Sequence, residues 1–201
     1  WRNLFNRGVN LDLQTRLSNR AQTLNFDSTY PSYFGFRENL TASLEFGRLR
    51  LIQYDANTIS SYVGYDKKPA NKKRFSYGFG LRNNLSDVSR SAILNERYFI
   101  TSLPAFVQYN SKDNILRPTK GNLFSLHIAP AVDSFNKTNF FLRNQLTATH
   151  FVNLGTFGNP KLNSPSILAF RTTAGSIIGS DLDDLPIIER FYSGGGGSIR
   201  G

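Results

Sequence analysis

The stretch Phe75-Ser76-Tyr77-Gly78-Phe79-Gly80-Leu81-Arg82 decides the fold of this chain. Large apolar residues occupy every second position, and small or charged residues fill the positions between them. Because side chains point alternately to the two sides of a β-strand, this period of two gives a strand one apolar face and one polar face. The stretch is therefore predicted to be a strand that separates an apolar environment from a polar one.

The same alternation recurs between turn signals along the chain and predicts about nine strands in an all-β fold. The predicted strands cover residues 9–17, 22–30, 40–51, 58–65, 75–81, 98–109, 124–128, 140–152 and 167–177. In the third of them the apolar phase shifts at Gly47-Arg48, which predicts a β-bulge. The polar stretch from Asn83 to Glu96 is predicted to be a loop.

Two architectures fit this pattern, a transmembrane antiparallel β-barrel and a soluble β-sandwich. Strands of roughly ten residues are long enough to cross a bilayer at a tilt of about 45°. Their polar faces carry Asn, Asp, Gln, Glu and Arg, which a dry sandwich core would not tolerate unpaired. Aromatic residues near strand ends, and short turns that alternate with longer loops, also favour the barrel. The sandwich stays open as an alternative.

Nine strands do not close a barrel, because single-chain bacterial barrels have an even number of strands. The sequence of 201 residues has no methionine and begins at Trp1 within a turn-like segment. We therefore expect residues 1–201 to be a fragment of one barrel domain. Further strands are expected before Trp1, after Gly201, or on both sides.

The composition limits the classes of partner and site. The formal net charge is +10, but the basic residues are spread over many segments, so no nucleic-acid partner is predicted. An arginine-lined lumen or an anionic membrane surface explains the charge equally well. The absence of cysteine excludes disulfides and cysteine-based metal sites. No apolar run approaches the roughly 18 residues of a transmembrane helix.

No catalytic constellation stands out, so no enzyme activity, cofactor or metal is expected. His127 and His150 lie on separate predicted strands without a metal-ligand neighbour at useful spacing. The glycines 194–197 are not followed by the Gly-Lys-Ser/Thr of a phosphate-binding loop. An acidic group lacks the ligand spacing of a calcium loop and is predicted to be a solvated loop or a partner for arginine. Its members are Asp181, Asp183 and Asp184.

The last twelve residues form the most distinctive loop of the sequence. They read Arg190-Phe191-Tyr192-Ser193-Gly194-Gly195-Gly196-Gly197-Ser198-Ile199-Arg200-Gly201. Glycine is used where backbone turns tightly or approaches another group closely. Arg200 is therefore a guanidinium carried on a loop. A flexible linker is the alternative, although linkers usually contain more serine and fewer aromatic residues.

This loop resembles the signature loop of the outer-membrane assembly factor superfamily, the BamA-like and TamA-like barrels. The residues that carry the resemblance are Leu185, Pro186, Arg190, Phe191, Tyr192, Gly194, Gly195, Ser198, Ile199, Arg200 and Gly201. The segment from Asp113 to Gly121 is similar to a periplasmic turn of the family through Asp113, Pro118, Thr119, Lys120 and Gly121. Residues 1–8 and 30–34 resemble two earlier periplasmic turns.

The resemblance implies a sixteen-stranded barrel, to which the chain contributes about the third to the eleventh strand and the start of a lumen-directed loop. In the family this loop folds back into the lumen, where the arginine that matches Arg200 meets acidic residues of later strands. A buried guanidinium needs such paired acceptors. Here those acidic residues would lie outside the chain, as would the family's periplasmic repeat domains. Gly196-Gly197 departs from relatives that more often carry polar residues there.

The function implied by the resemblance is non-enzymatic. The barrel would assemble, insert or translocate other outer-membrane proteins or autotransporters in the bacterial outer membrane. Its partners would be the lipid bilayer and client barrels, with room for a periplasmic or inner-membrane partner. The Arg-Phe-Tyr-x-Gly-Gly form after Leu-Pro is more similar to the TamA-like branch. Two alternatives stay open, a two-partner secretion pore or passive channel and a soluble β-sandwich binding module.

Overall fold

The computed structural model describes residues 8–35, 37–51, 54–68, 74–89, 95–135, 138–155 and 166–191. Within these ranges the alternating segments form ten strands of one antiparallel sheet. The strands are β1 (Asn10–Leu17), β2 (Ala21–Pro31), β3 (Glu38–Arg50), β4 (Asp55–Lys67), β5 (Phe75–Ser89), β6 (Asn95–Ser102), β7 (Ala105–Asn110), β8 (Gly121–Asp133), β9 (Asn139–Asn153) and β10 (Ile167–Ile178). A short 3-10 helix, Ile187–Glu189, follows β10. The predicted all-β class is confirmed.

Apart from β6 and β7, strands adjacent in sequence are adjacent in the sheet, so the chain runs up and down between two rims. We call the rim with the connection 18–20 and the segment after β10 the upper rim. The lower rim carries the connections around residues 32–37 and 111–120. None of the described helices has the length and apolar character needed to cross a membrane.

The strands β6 and β7 occupy one position in the sheet, because both lie between β5 and β8. Proline has no N–H to donate, so the pairing is interrupted at Pro104. The register nevertheless resumes without an offset, since Arg82 faces Ser102 and Phe79 faces Ala105. The N–H of Gly80 donates to the Pro104 carbonyl at 2.9 Å and holds the sheet together across the gap. The single strand predicted over residues 98–109 is therefore one strand with a break, and the sheet has nine positions.

The apolar face of the sheet is its exposed outer face. In β5 the side chains of Phe75, Phe79 and Leu81 are 60%, 58% and 44% exposed. On the opposite, concave face of the same strand Asn84 and Ser86 are only 7% and 0% exposed. A sandwich would bury the apolar face against a second sheet, whereas a barrel wall turns it toward lipid. The sandwich alternative is therefore wrong, and the partial barrel is confirmed.

The β-bulge predicted at Gly47-Arg48 is wrong. Gly47 faces Thr58, Arg48 faces Asn57 and Leu49 faces Ala56 in unbroken register. The shift in the sequence has another cause: near the upper rim the polarity of the two faces is reversed. Arg48 is exposed on the outer face, while Leu49 turns to the concave face. The strand extends beyond the apolar zone without a change in its backbone.

The loop predicted from Asn83 to Glu96 is wrong for the same reason over its described residues, 83–89 and 95–96, while residues 90–94 lie outside the described part of the chain. β5 continues to Ser89, and β6 begins at Asn95. On the outer face this region carries an ion pair between Arg97 Nε and Asp87 Oδ1 at 2.6 Å. On the concave face Val88 and Ile100 are 1% and 2% exposed. Polar residues on the outer face and apolar residues on the concave face gave the segment the composition of a loop, although its described residues are strand.

A charge introduced in the middle of a strand should affect stability differently on the two faces of the sheet. Leu44 lies on the outer face in the middle of β3, and Ser43 lines the concave cavity beside it. We expect Leu44→Lys to lower the free energy of unfolding of the intact protein by about 2–4 kcal/mol in lipid vesicles, because a lysine there must face hydrocarbon.

The matched control is Ser43→Lys, which places the same side chain in the hydrated interior and should cost much less. Equilibrium urea unfolding of both variants in vesicles measures the difference. Equal losses for the two variants would contradict an outer face in lipid.

Candidate functional site

The segment after β10 turns back onto the concave face of the sheet. The turn starts at Gly179, whose φ of +95° is one that residues with a side chain rarely adopt. A Cβ added at Gly179 would also lie only 3.1 Å from the Phe140 carbonyl oxygen. The side-chain Nδ2 of Asn139, at the start of β9, donates to Ser180 Oγ at 2.7 Å and to the Asp184 carbonyl oxygen at 2.9 Å. These two bonds fix the direction in which residues 180–191 leave the wall. We call residues 179–191 the inner loop.

Apolar side chains of the inner loop pack against the wall. Leu185 and Ile187 are each 6% exposed, and Pro186 is fully buried between them. They join a cluster of wall residues: Tyr54, Ala56, Val88, Tyr98, Ile100 and Phe141. Burying a leucine or isoleucine stabilises the packed position by about 1.5–3 kcal/mol per side chain. The reversed polarity of the upper rim thus provides the apolar surface on which the loop docks.

Arg190, a residue of the predicted loop motif, closes the inner loop on itself. Its Nε donates to the Leu185 carbonyl oxygen at 3.2 Å, and its Nη2 donates to the same oxygen at 3.0 Å. Nη2 also donates to the Leu182 carbonyl oxygen. Charge-assisted bonds of this kind are stronger than bonds between neutral groups. Arg190 therefore holds the bend that presents Leu185 and Ile187 to the wall.

The acidic group of the inner loop is exposed, as the solvated-loop prediction requires. The partners of Arg190 that the structure shows are the carbonyl oxygens of Leu182 and Leu185. Asp181 contributes through its backbone, because its carbonyl oxygen accepts from the Leu185 N–H at 3.0 Å.

Phe191, the next residue of the motif, packs against a glycine of β10. A Cβ at Gly175 of β10 would stand 2.7 Å from the Phe191 ring, so the ring rests where only glycine leaves room. The Arg143 guanidinium carbon lies 4.6 Å from the centroid of the same ring, in a cation–π contact. Arg143 and Gly175 were missed from the sequence. A glycine inside a strand was the available signal, since it marks close approach of another group.

Below the inner loop the concave face encloses a cavity of about 500 Å³. Charged residues of both signs line it: Glu45, Arg82, Arg143 and Glu189. Charged groups are stable in such a place only when they are solvated or paired. The polar strand faces therefore form a hydrated interior, as expected for the lumen of a barrel.

The predicted turn motif lies on the lower rim, and the structure explains its residues. Asp113 Oδ1 accepts from the backbone N–H groups of Thr119 at 2.9 Å and Lys120 at 3.2 Å, and Oδ2 accepts from the Thr119 hydroxyl. The Thr119 hydroxyl, followed by these N–H groups, holds the pKa of the Asp113 carboxyl far below its usual value. Gly121 has a φ of +110°, and a Cβ there would lie 2.4 Å from the Ser111 carbonyl oxygen.

The described residues of the two motifs lie at opposite rims. Arg190 and Phe191 lie at the upper rim on the concave side, and the turn from Asp113 to Gly121 lies at the lower rim with the family-like turn around residues 30–34. The remaining residues of the loop motif lie outside the described residues: Tyr192, Gly194, Gly195, Ser198, Ile199, Arg200 and Gly201. Most of the segment 1–8 also lies outside them.

The two histidines have separate environments. His127 Nε2 lies 2.9 Å from Ser125 Oγ, and its ring stacks on Phe106. His150 Nδ1 is hydrogen-bonded to Asn122 Oδ1 on the neighbouring strand. In the described part of the chain no three histidine, aspartate or glutamate residues gather into a metal-binding group.

The family follows from a comparison of the sequence with family profiles. The Omp85 superfamily domain matches residues 3–201. This chain belongs to the Omp85 superfamily. Omp85 membership confirms the resemblance to outer-membrane assembly factors and gives the protein its location, the bacterial outer membrane.

Solved structures agree with the fold of this Omp85 chain. It is similar to BamA from Haemophilus ducreyi lacking POTRA domains 1–3, with a TM-score of 0.77 and 15% sequence identity. The match covers 100% of this chain and 41% of that chain, so the chain spans less than half of the length of its structural relative. No curated protein matches the sequence. The preference for the TamA-like branch stays a prediction.

Docking of the inner loop depends on its buried side chains. Leu185→Ala should weaken the docked position by about 2 kcal/mol or more, because a cavity forms against the wall. Hydrogen exchange of the amides in residues 179–191 of the intact protein, followed by mass spectrometry, should therefore become faster. Leu182→Ala is the control, since Leu182 belongs to the same loop and is 68% exposed. Unchanged exchange in Leu185→Ala would show that the apolar contacts do not hold the loop.

The turn on the lower rim depends on the Asp113 carboxylate. Asp113→Ala removes the acceptor of the Thr119 and Lys120 N–H groups, so trypsin should cut faster after Lys112 and Lys120. Asp183→Ala, in another exposed segment, should leave these cleavage rates unchanged. Equal rates for Asp113→Ala and the unmodified protein would show that the carboxylate does not order the turn.

The lowered pKa of Asp113 also sets a pH range. Because folding favours the ionised form, its stabilising contribution is complete above the ordinary pKa of 3.8 and is lost as the pH falls below that value. Pepsin should cut the turn faster in Asp113→Ala than in the unmodified protein at pH 4. This difference in cleavage rate should become smaller as the pH is lowered further. A constant difference would contradict the lowered pKa.

Proposed function

We propose that this Omp85 chain forms part of the wall and the inner loop of a barrel that assembles, inserts or translocates other outer-membrane proteins or autotransporters. One observation carries the proposal: the inner loop is packed on the concave face through Leu185 and Ile187, in a chain matched to the Omp85 domain over residues 3–201. The proposed role is mechanical and not enzymatic.

The proposal includes the architecture around the described sheet. Residues 1–201 would be a fragment of one barrel domain of sixteen strands, with periplasmic repeat domains outside the sequence. Assembly would use strand addition, in which an incoming strand pairs with an exposed sheet edge through main-chain hydrogen bonds. The seam strands of such a barrel would be supplied by flanking sequence. The periplasm would lie at the lower rim, where the turn motifs are found.

In this proposal the glycine-rich continuation of the inner loop carries Arg200 to a lock inside the lumen. The support is positional: Phe191, the last described residue before it, already lies against Gly175 and Arg143 on the concave face. Glycines would let the backbone pass close to the wall. Arg200 would pair there with acidic residues of strands outside this chain, since a buried guanidinium needs charged acceptors.

Replacing Arg200 tests this function. We expect Arg200→Ala in the intact protein to weaken the anchoring of the loop by about 3–5 kcal/mol, because its buried acidic partners lose their counter-charge. Assembly of client barrels, followed as the protease-protected client in proteoliposomes, should then fall severalfold. Arg20→Ala, in the exposed connection of the upper rim, is the control. Undiminished assembly by Arg200→Ala would count against the proposal.

A two-partner secretion pore or passive channel is the second candidate, and the cavity favours it. A hydrated interior lined by Arg82 and Glu45 could conduct ions or pass an unfolded chain. Planar-bilayer recordings separate the two functions. Steady conductance, together with client assembly that does not depend on the protein, would favour the pore.

A further inference from the structure

An apolar groove of about 460 Å³ crosses the outer face below the upper rim. It extends from β1 to β5, and its apolar lining includes Leu17, Leu24, Phe46, Ile59 and Leu85. In its floor the side chains of Phe46 and Ile59 are 40% and 46% exposed, so the groove is open toward the membrane. We call this feature the upper groove.

Three polar side chains form the edge of the upper groove that faces the rim. In the register of β2, β3 and β4, Gln22 faces Arg48 and Arg48 faces Asn57. Each lies two positions from an apolar lining residue of its own strand, as Arg48 does from Phe46, and therefore shares its face of the sheet. All three line the groove and are exposed. Register and exposure thus place the three side chains on the outer face.

Arg48 gives this edge an excess of positive charge. Asp87 is the acidic residue of the lining, and it is already paired with Arg97, with Nε to Oδ1 at 2.6 Å. Arg48 is flanked in the register by two neutral amides. Among the described residues no acidic side chain is ion-paired with Arg48. The groove therefore combines an apolar floor with a guanidinium that has no counter-charge.

The charged residues also fix the depth of the groove in the membrane. A charge on the lipid-facing side of a barrel costs about 2–4 kcal/mol at the midplane and little near the interfaces. Arg48, Asp87 and Arg97 face outward in one row across the sheet, so this row lies at the level of the lipid headgroups. Phe46 and Ile59, on the side of the row away from the rim, lie in hydrocarbon.

We propose that the upper groove binds a lipid whose headgroup carries a phosphate and a net negative charge. An acyl chain lies along Phe46 and Ile59 in the floor. The phosphate accepts N–H bonds from Arg48 and from the amides of Gln22 and Asn57. The planar fork of a guanidinium matches phosphate oxygens, and each amide adds two donors. A zwitterionic headgroup fits less well, because it brings a cation of its own to Arg48.

This inference rests on the outer-membrane location and not on the proposed function, so either one can fail without the other. The test loads the intact protein in detergent with phosphatidylglycerol or with phosphatidylcholine of the same acyl chains. Native mass spectrometry then measures the lipid that stays bound. Arg48→Gln should weaken phosphatidylglycerol retention about fivefold, the effect of one basic residue near an anionic headgroup. Retention of phosphatidylcholine should not change.

Arg50→Gln is the matched control. Arg50 is exposed on the same face of β3, but it faces Asp55 in the register and does not line the groove. We expect this variant to retain phosphatidylglycerol like the unmodified protein. Equal losses in Arg48→Gln and Arg50→Gln would show that only the overall charge of the rim attracts the lipid, and would overturn the proposal.

A second pair of variants tests the groove itself. Ile59→Trp fills the groove from its floor and should reduce the retention of both lipids, whereas Leu146→Trp, on the outer face of β9, should not. Ile59 and Leu146 are 46% and 47% exposed, so the two variants differ in place and not in exposure. Equal retention of the two lipids by the unmodified protein, or unchanged retention in Ile59→Trp, would also overturn the proposal.

Discussion

A wall in hydrocarbon must pair every backbone polar group within itself, and the rest of this structure depends on that constraint. Between its two edges, β1 and β10, the described sheet satisfies it by hydrogen bonds between neighbouring strands, without a change of register along β3 and β4. Pro104 shows how strict the constraint is. Proline interrupts the ladder without leaving an unpaired donor, and its carbonyl oxygen still accepts from Gly80.

The position of the inner loop follows from a second property of the wall, the reversal of polarity near the upper rim. Over most of the height of the sheet, the outer face is apolar and the concave face is polar. Near the upper rim Arg97 and Asp87 face outward, while Val88 and Ile100 face inward. A loop that returned lower down would meet the charged cavity. At the upper rim it meets an apolar surface that Leu185 and Ile187 complete.

The alternation of residues was sufficient to predict the strands, their nine positions in the sheet and the polarity of each face within the apolar zone. The reason is that a period of two is a local property of the sequence. It failed at Gly47-Arg48 and between Asn83 and Glu96, where the same strands leave that zone and the alternation is reversed or weakened. Contacts such as Phe191 with Gly175 and Arg143 join distant parts of the chain, and no local pattern records them. The Asp113 turn was found through a resemblance, and its hydrogen bonds supply the physical reason.

The bonds of Arg190 to the Leu182 and Leu185 carbonyl oxygens have a consequence for how the inner loop is held. They lie within the bend and make no use of the wall, so the bend is a preformed unit. The shape of the bend is therefore held by bonds within the loop itself, whereas its place on the wall is held by the apolar contacts and the two Asn139 bonds.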